Sequence, residues 1–303
     1  MPIKVMQVGL GPIGAGVVHQ IASRKGFVMV GAVDIDPTKV GRDLGDVSGI
    51  GRPLRVKVTD DISRTIKARR PDVAVLCTRS ALKQAVPEFE AVLKLKVPIV
   101  STTEELAYPV KSNAAAARKI DALAKRARVA VLGTGINPGF IMDALPIALT
   151  GVCESIRAIE VDRIQDARVR RLPFQKKIGA GLTRDEFMKN VKEGSVRHVG
   201  LAESIAMIAD AFGWKLTKVA EEIQPKLADA RVSSEFLTVE PGLVCGLVQD
   251  GVGYRNGEPA IKLHMEGAPE SYDSVRITGT PSLAMKIAGG VHGDVATASI
   301  VVN

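Results

Sequence analysis

The sequence has 303 residues, long enough for about two domains, with a formal net charge of +8. Hydrophobic residues make up 46% and charged residues 24%, the balance of a globular chain rather than a disordered one. A basic excess also suits nucleic acid, but aromatics are only 4% and the Lys and Arg are dispersed, so no nucleic-acid partner is expected.

No apolar run reaches the ~18 residues of a membrane span, so no membrane association is expected. The N-terminus lacks the basic and apolar segments of a signal peptide. Cys77, Cys153 and Cys245 are scattered and odd in number, which fits reduced thiols and a cytoplasmic protein. No Cys or His spacing suggests a metal site.

In chain order, Lys4 to Val8 is a short apolar run, and Gly9-Leu10-Gly11-Pro12-Ile13-Gly14 follows at once. A helical stretch runs from Ala15 to Ser23, and a second apolar run, Val28 to Val33, ends at Asp34. Strand, glycine turn, helix, strand and acid together make a dinucleotide-binding pattern. Gly9 permits the tight turn, Gly11 lets a pyrophosphate approach the backbone, and Gly14 allows close helix packing. The helix start at Pro12 and Ile13 offers N–H groups and a positive dipole end to the phosphates. Asp34 lies 20 positions after Gly14, where its carboxylate can accept from the ribose hydroxyls. Asp34 would repel a ribose 2′-phosphate and so favours NAD. Lys39 and Arg42 could receive that phosphate, which leaves NADP as a second coenzyme.

Arg55 to Val58 reads as a short strand and Asp61 to Arg69 as a helix. Val73 to Cys77 is a continuous apolar run, as in a parallel strand buried on both faces. Thr78 and Arg79 follow at its carboxyl end, where open α/β sheets place ligands. A helix over Leu82 to Leu95 and a strand over Val97 to Val100 come next. Ser101 and Thr102, after that strand, are further candidate cofactor contacts. A helix over Val110 to Arg126 and a strand over Val129 to Leu132 lead into Gly133-Thr134-Gly135-Ile136-Asn137-Pro138-Gly139-Phe140. The alternation predicts a right-handed, doubly wound parallel sheet: an α/β, Rossmann-type domain over residues 1–150.

The pattern then changes. Ser155 to Asp162 reads as a strand, Arg184 to Lys192 and Leu201 to Phe212 as helices, and 244–249, 260–266 and 273–278 as strands. Asp250-Gly251 and Asn256-Gly257 supply turn signals. A second, α+β domain for substrate binding or dimerisation is expected over 151–280. A helix over Pro281 to Ile287 and another over Asp294 to Val302 would return 281–303 to the first domain.

Glu104 and Glu105 follow a strand that should end at the cofactor. Thr102-x-x-Glu105 fits a capping box, which would leave Glu104 facing the cleft to handle a proton. Either glutamate is a catalytic candidate. Asn137 either lines the nicotinamide or simply forms a turn with Pro138 and Gly139. The basic stretch from Arg163 to Lys177 binds a small acidic ligand or a phosphate, forms a solvated face, or meets a polyanion. Lys176 to Thr183 offers either a nest of N–H groups for a carboxylate or an ordinary loop with a helix cap. His198 and His264 read as surface or core histidines.

The stretches V-G-L-G-P-I-G, D-I-D-P-x-K-V-G-R-D-L-G, S-T-x-E-E-L-A-Y-P, G-T-G-I-N-P-G-F, R-R-L-P-F-Q-K-K-I-G-A-G-L-T and G-D-V-A-T-A-x-I-V-V-N resemble the 2,4-diaminopentanoate dehydrogenase and native amine dehydrogenase family, within the dihydrodipicolinate reductase-like fold. The similarity covers nearly the whole chain. It implies a Rossmann domain with an α+β substrate domain, a homodimer, and reversible oxidative deamination of an amine to a ketone and ammonia with NAD or NADP. It makes Glu104 the counterpart of the glutamate that handles ammonia, with Glu105 second. Thr134, Phe140, Arg171, Lys177, Gly181 and Thr183 become candidate substrate contacts, the basic ones for a carboxylate. The His-His pair and K-x-D-A-P-S-G-T of the lysine-pathway reductases are missing, which disfavours reduction of dihydrodipicolinate. Two rival readings are an imine or aldehyde reductase that works without ammonia, and a non-catalytic dinucleotide sensor.

Overall fold

A computed structural model describes residues 1–170, 172–267 and 271–303. The chain divides into two compact units, Met1–Phe140 with His292–Asn303, and Ile141–Val291.

The first unit is built on β1 (Ile3–Val8), α1 (Pro12–Ser23), β2 (Phe27–Val33), α2 (Leu44–Val47), β3 (Val58–Thr59), α3 (Ile62–Arg69), β4 (Val73–Leu76), α4 (Leu82–Leu93), β5 (Ile99–Ser101), α5 (Ala114–Ala127) and β6 (Val131–Gly133). The strands form one parallel, six-stranded sheet in the order β3-β2-β1-β4-β5-β6. That is the doubly wound arrangement, and its order reverses between β1 and β4, where such sheets bind ligands.

Two-residue periodicity in β1 splits the core. Met6 and Val8 pack with Phe89, Val92 and Ile120 on one face of the sheet. Val5 packs with Val17, Val18 and Ile21 on the other. Helix α4 has its buried residues Leu82, Ala85, Val86, Phe89, Val92 and Leu93 at the spacing of one helical face.

The second unit holds α6 (Ala144–Leu149), β7 (Ser155–Gln165), α7 (Leu172–Lys177), α8 (Arg184–Lys192), α9 (Leu201–Ala211), β8 (Lys218–Leu227), β9 (Val232–Ser233), β10 (Thr238–Val239), β11 (Val244–Arg255), β12 (Glu258–Gly267), β13 (Tyr272–Thr280) and β14 (Leu283–Ala288). Its main sheet has the order β14-β13-β7-β12-β11-β8, antiparallel except for the parallel pair β7 and β12. Finally α10 (Gly293–Val302) belongs to the first unit and packs on α1. Gln20 Nε2 donates to Ser299 Oγ (2.8 Å), and a Cβ on Gly16 would lie 3.3 Å from that of Ala298.

Three local expectations are corrected. Leu283–Ala288, expected as a helix, is a strand with alternating burial that pairs with β13. Asp250-Gly251, expected as a turn, lies inside β11; the turn between β11 and β12 is at Asn256 and Gly257, both with positive φ. The glycine at 251 serves packing instead: a Cβ there would sit 3.1 Å from Ile205 Cδ1 on α9. The charged strand β8 was not anticipated at all.

Candidate active site

The carboxyl ends of β1, β2, β4, β5 and β6 carry the sequence-derived candidates of the first unit. Between β1 and α1 the chain turns at Gly9, with φ +82°, where a Cβ would be 2.5 Å from the carbonyl oxygen of Cys77. Only glycine fits both the conformation and the space. A Cβ on Gly14 would overlap the Gly9 carbonyl oxygen and stand 3.0 Å from Gln7 Nε2. Gln7, fully buried, was missed by the sequence reading. Its Nε2 donates to the carbonyls of Val8 (3.2 Å) and Gly9 (3.0 Å) and ties down the turn. The available signal was a lone amide inside an otherwise apolar run.

Gly11 differs from its neighbours. It sits at the N-cap of α1 without any side-chain cap, Pro12 follows in the first turn, and a Cβ on Gly11 would meet no protein atom within 4 Å. Pro12 is exposed and Ile13 partly so. An uncapped helix start beside open space is the cradle a pyrophosphate needs, so the residues present fit a dinucleotide.

This contrast separates fold from ligand. Gly14→Ala should lower stability by about 1–3 kcal/mol and abolish dinucleotide binding. Gly11→Ala should stay within about 1 kcal/mol of wild type and lose only dinucleotide affinity. Urea melts and a fluorescence titration with reduced dinucleotide check both; equal destabilisation by the two would contradict the assignment.

Asp34 is buried at the end of β2. Its Oδ2 accepts from Leu10 N–H (2.7 Å), its Oδ1 accepts from Asp36 N–H (2.9 Å), and Lys39 Nζ lies 3.2 Å from Oδ2. Burial acts to raise its pKa, but the N–H groups of Asp36 and Leu10 and the Lys39 ammonium outweigh it and hold the carboxyl below the usual aspartate range. With the folded pKa depressed, its contribution is complete above the ordinary aspartate pKa and is lost as pH falls through the folded value. The carboxylate thus stiffens the glycine loop as well as facing the ribose position.

After β4, exposed Thr78 and Arg79 both turn to Glu88 of α4, through Thr78 Oγ1 to Oε2 (2.5 Å) and Arg79 Nε to Oε1 (3.4 Å). After β5, Ser101 is fully buried and structural: its Oγ donates to Leu76 O (3.0 Å) and accepts from Thr103 N–H (3.1 Å). That corrects its expected place as a cofactor contact. Thr102 stays partly exposed, with its N–H on Leu76 O (3.0 Å).

The adjacent glutamates part ways in the short 3₁₀ turn Glu104–Leu106. Glu105 makes no capping box with Thr102. Its Oε2 instead accepts from Leu82 N–H (2.8 Å), the start of α4, so it caps a neighbouring helix. Glu105 is therefore withdrawn as the second catalytic candidate. Glu104 is partly buried, and its Oε2 is shut off from solvent. After β6, Thr134 N–H donates to Ser101 O (2.9 Å), Asn137 is buried, and Phe140 is 36% exposed.

In the second unit the expected N–H nest is absent. Gly181 N–H donates to Val244 O (2.8 Å), and the N–H groups of Gly179, Ala180 and Leu182 are spent on carbonyls within the loop. Thr183 is the N-cap of α8 in a capping box with Glu186. Gly181 and Thr183 are corrected from substrate contacts to structural positions, and Arg171 lies outside the described residues. Lys177 ends α7, partly buried. Nearby, Arg163 is buried in an ion pair with Asp273 (2.8 Å; both side chains 2% exposed), and buried Arg170 lies 4.4 Å over the Phe174 ring.

Residues 140–303 match the family model for the 2,4-diaminopentanoate dehydrogenase C-terminal domain, and residues 3–132 that for the dihydrodipicolinate reductase N-terminus. The chain is 34% identical to the 2,4-diaminopentanoate dehydrogenase of Acetoanaerobium sticklandii, over 99% of this chain and 88% of that protein. It is 24% identical to an amine dehydrogenase of Streptomyces virginiae, over 88% of this chain and 77% of that one. Among solved structures, the amine dehydrogenase from Mycobacterium smegmatis is similar in fold, with TM-score 0.88 at 24% identity over 100% of this chain and 90% of that one.

Proposed function

This chain belongs to the 2,4-diaminopentanoate dehydrogenase family and is an amine dehydrogenase dependent on a nicotinamide dinucleotide; from that membership we propose that it catalyses reversible oxidative deamination of 2,4-diaminopentanoate, or a close relative, to the ketone and ammonia. The observation that carries the reading is Glu104. Its carboxylate follows the strand next to β4, in the same unit as the open glycine cradle, with one oxygen out of solvent.

When bound, the dinucleotide accepts or supplies hydride at nicotinamide C4. In the deaminating direction Glu104 takes a proton from the substrate ammonium, which frees the nitrogen lone pair to drive hydride off the adjoining carbon. As water adds to the resulting iminium carbon, Glu104 returns the proton to the departing nitrogen. Arg170 and Lys177 hold the substrate carboxylate in place of the loop glycines.

NAD is the favoured coenzyme. The Lys39 ammonium is shared between Asp34 (3.2 Å) and Asp36 (3.5 Å), so a 2′-phosphate would meet more negative charge than positive. NADH should be preferred over NADPH by about tenfold or more in kcat/KM, a difference of about 1.4 kcal/mol. Asp34→Asn, which keeps an acceptor for Leu10 N–H, should narrow that gap. The assembly proposed is a homodimer, on the family resemblance, and the compartment the cytoplasm, which suits the free Cys77, Cys153 and Cys245.

The test is oxidation of NADH and NADPH by 2-amino-4-oxopentanoate with and without ammonium chloride. Ammonia-dependent oxidation supports the proposal. Equal rates without ammonia would replace it with an imine or aldehyde reductase, and tight NADH binding without turnover would replace it with a sensor.

A further inference from the structure

His198 lies between α8 and α9, and one side chain fixes its backbone at two points. Its N–H donates to Gln249 Oε1 (2.8 Å), and its carbonyl accepts from Gln249 Nε2 (2.9 Å). Gln249 is fully buried in β11 and also donates to Glu221 Oε1 (2.9 Å). The imidazole is therefore placed by a rigid strand. The residue keeps some surface at its edge, yet Nδ1 is closed to solvent and has no hydrogen-bond partner in the protein. Buried polar atoms are nearly always paired, so an orphan on a held ring calls for a ligand.

The charges around the ring say what kind. Burial, then Lys177, Arg163, Arg170 and Arg197, push its pKa down to about 3, so the ring is neutral at ordinary pH. Arg163 Nη2 donates to Val291 O (3.1 Å), and Arg170 Nη1 donates to Gln165 Oε1 (3.2 Å), whose Nε2 holds the same carbonyl (3.2 Å). Their guanidinium groups oppose one another. The acids facing this group are Asp273, paired with Arg163, and Glu221 and Glu203 on the Gln249 side. Burial pushes Glu221 up, which weakens its power to balance the cations. Cations gathered on a neutral donor favour an anion.

We infer that His198 Nδ1–H, beside Arg170 and Lys177, donates to the substrate carboxylate and makes the enzyme select amines that carry a carboxylate over plain alkylamines. His198 is thus a specificity residue that touches substrate while remaining uncharged itself. The inference rests on the amine dehydrogenase reading and narrows its substrate class. A bound carboxylate would offset the surrounding cations and return the ring toward the ordinary histidine range.

The probes are 4-oxopentanoate and pentan-2-one, a keto acid and a neutral ketone of the same chain length. With full-length protein labelled with 15N histidine, 4-oxopentanoate should move the His198 Nδ1 resonance and raise its titration midpoint, and pentan-2-one should not. In reductive amination, His198→Ala should raise KM for 4-oxopentanoate about tenfold with kcat changed less than about threefold, and His198→Asn should recover most of the loss. Equal response to both ketones, no response to 4-oxopentanoate, or loss of kcat with KM unchanged would overturn the assignment. The NMR titration needs no turnover. Absence of activity on every ketone would therefore count against the function, while the carboxylate subsite would still be decided by the resonance.

Discussion

Glu104→Gln is expected to lower kcat/KM for amine oxidation by about 10²–10⁴, the usual contribution of a positioned general acid or base. The amide keeps the size of the side chain but cannot take up a proton. NADH binding should change little, because the glycine cradle between β1 and α1 is untouched. The neighbouring Glu105→Gln should behave differently: its Oε2 caps α4 through Leu82 N–H (2.8 Å). A retained acceptor oxygen should hold that bond, so turnover should fall less than about tenfold, with a loss of about 1 kcal/mol in stability. Steady-state rates and urea melts on both variants decide this. A larger activity loss at Glu105 than at Glu104 would reverse the assignment.

The second large effect concerns stability. Arg163 and Asp273 form a buried ion pair in the second unit (2.8 Å), and Asp273 Oδ2 also accepts from Val291 N–H (2.7 Å). Burial pushes Asp273 up, against the pull of Arg163, and pushes Arg163 down, so desolvation consumes much of the attraction. Removing one partner is still costly, because a guanidinium is left in the core. Asp273→Ala should lose about 3–5 kcal/mol, whereas Arg163→Met with Asp273→Leu together should lose clearly less. Urea unfolding of the second unit checks both. A double variant as unstable as the single one would mean that the pair stabilises through its own attraction.

Much of the first unit was legible in the sequence because its signals are local. Short apolar runs ending at glycines or hydroxyl residues gave the parallel strands, and the glycine spacing gave the turn. In the second unit, tertiary pairing overrode composition. Leu-Ala-Met-Lys-Ile-Ala has helix-forming residues, yet pairing with β13 makes it a strand. Lys218–Leu227 carries charges and Pro225 because it is an edge strand, and that chemistry conceals it. Gly251 looked like a turn residue because the helix that packs on it, α9, lies far off in sequence.

The site follows the same division. Glu104 and Glu105 are chemically identical neighbours, and only the approach of α4 separates a cap from a free-standing role. Thr183 carried a capping signal in Thr-x-x-Glu, which competed with the nest reading and prevailed. His198 looked like an ordinary histidine; its partners come from β7, α7 and β11 and meet only in the fold.

The most direct measurement of the central claim is stoichiometric. The purified protein is given 2,4-diaminopentanoate and NAD, and ammonia and NADH are quantified in the same reaction. The account predicts equal amounts of the two, both abolished by Glu104→Gln. NADH formed without ammonia, or equal yields that survive this substitution, would contradict it.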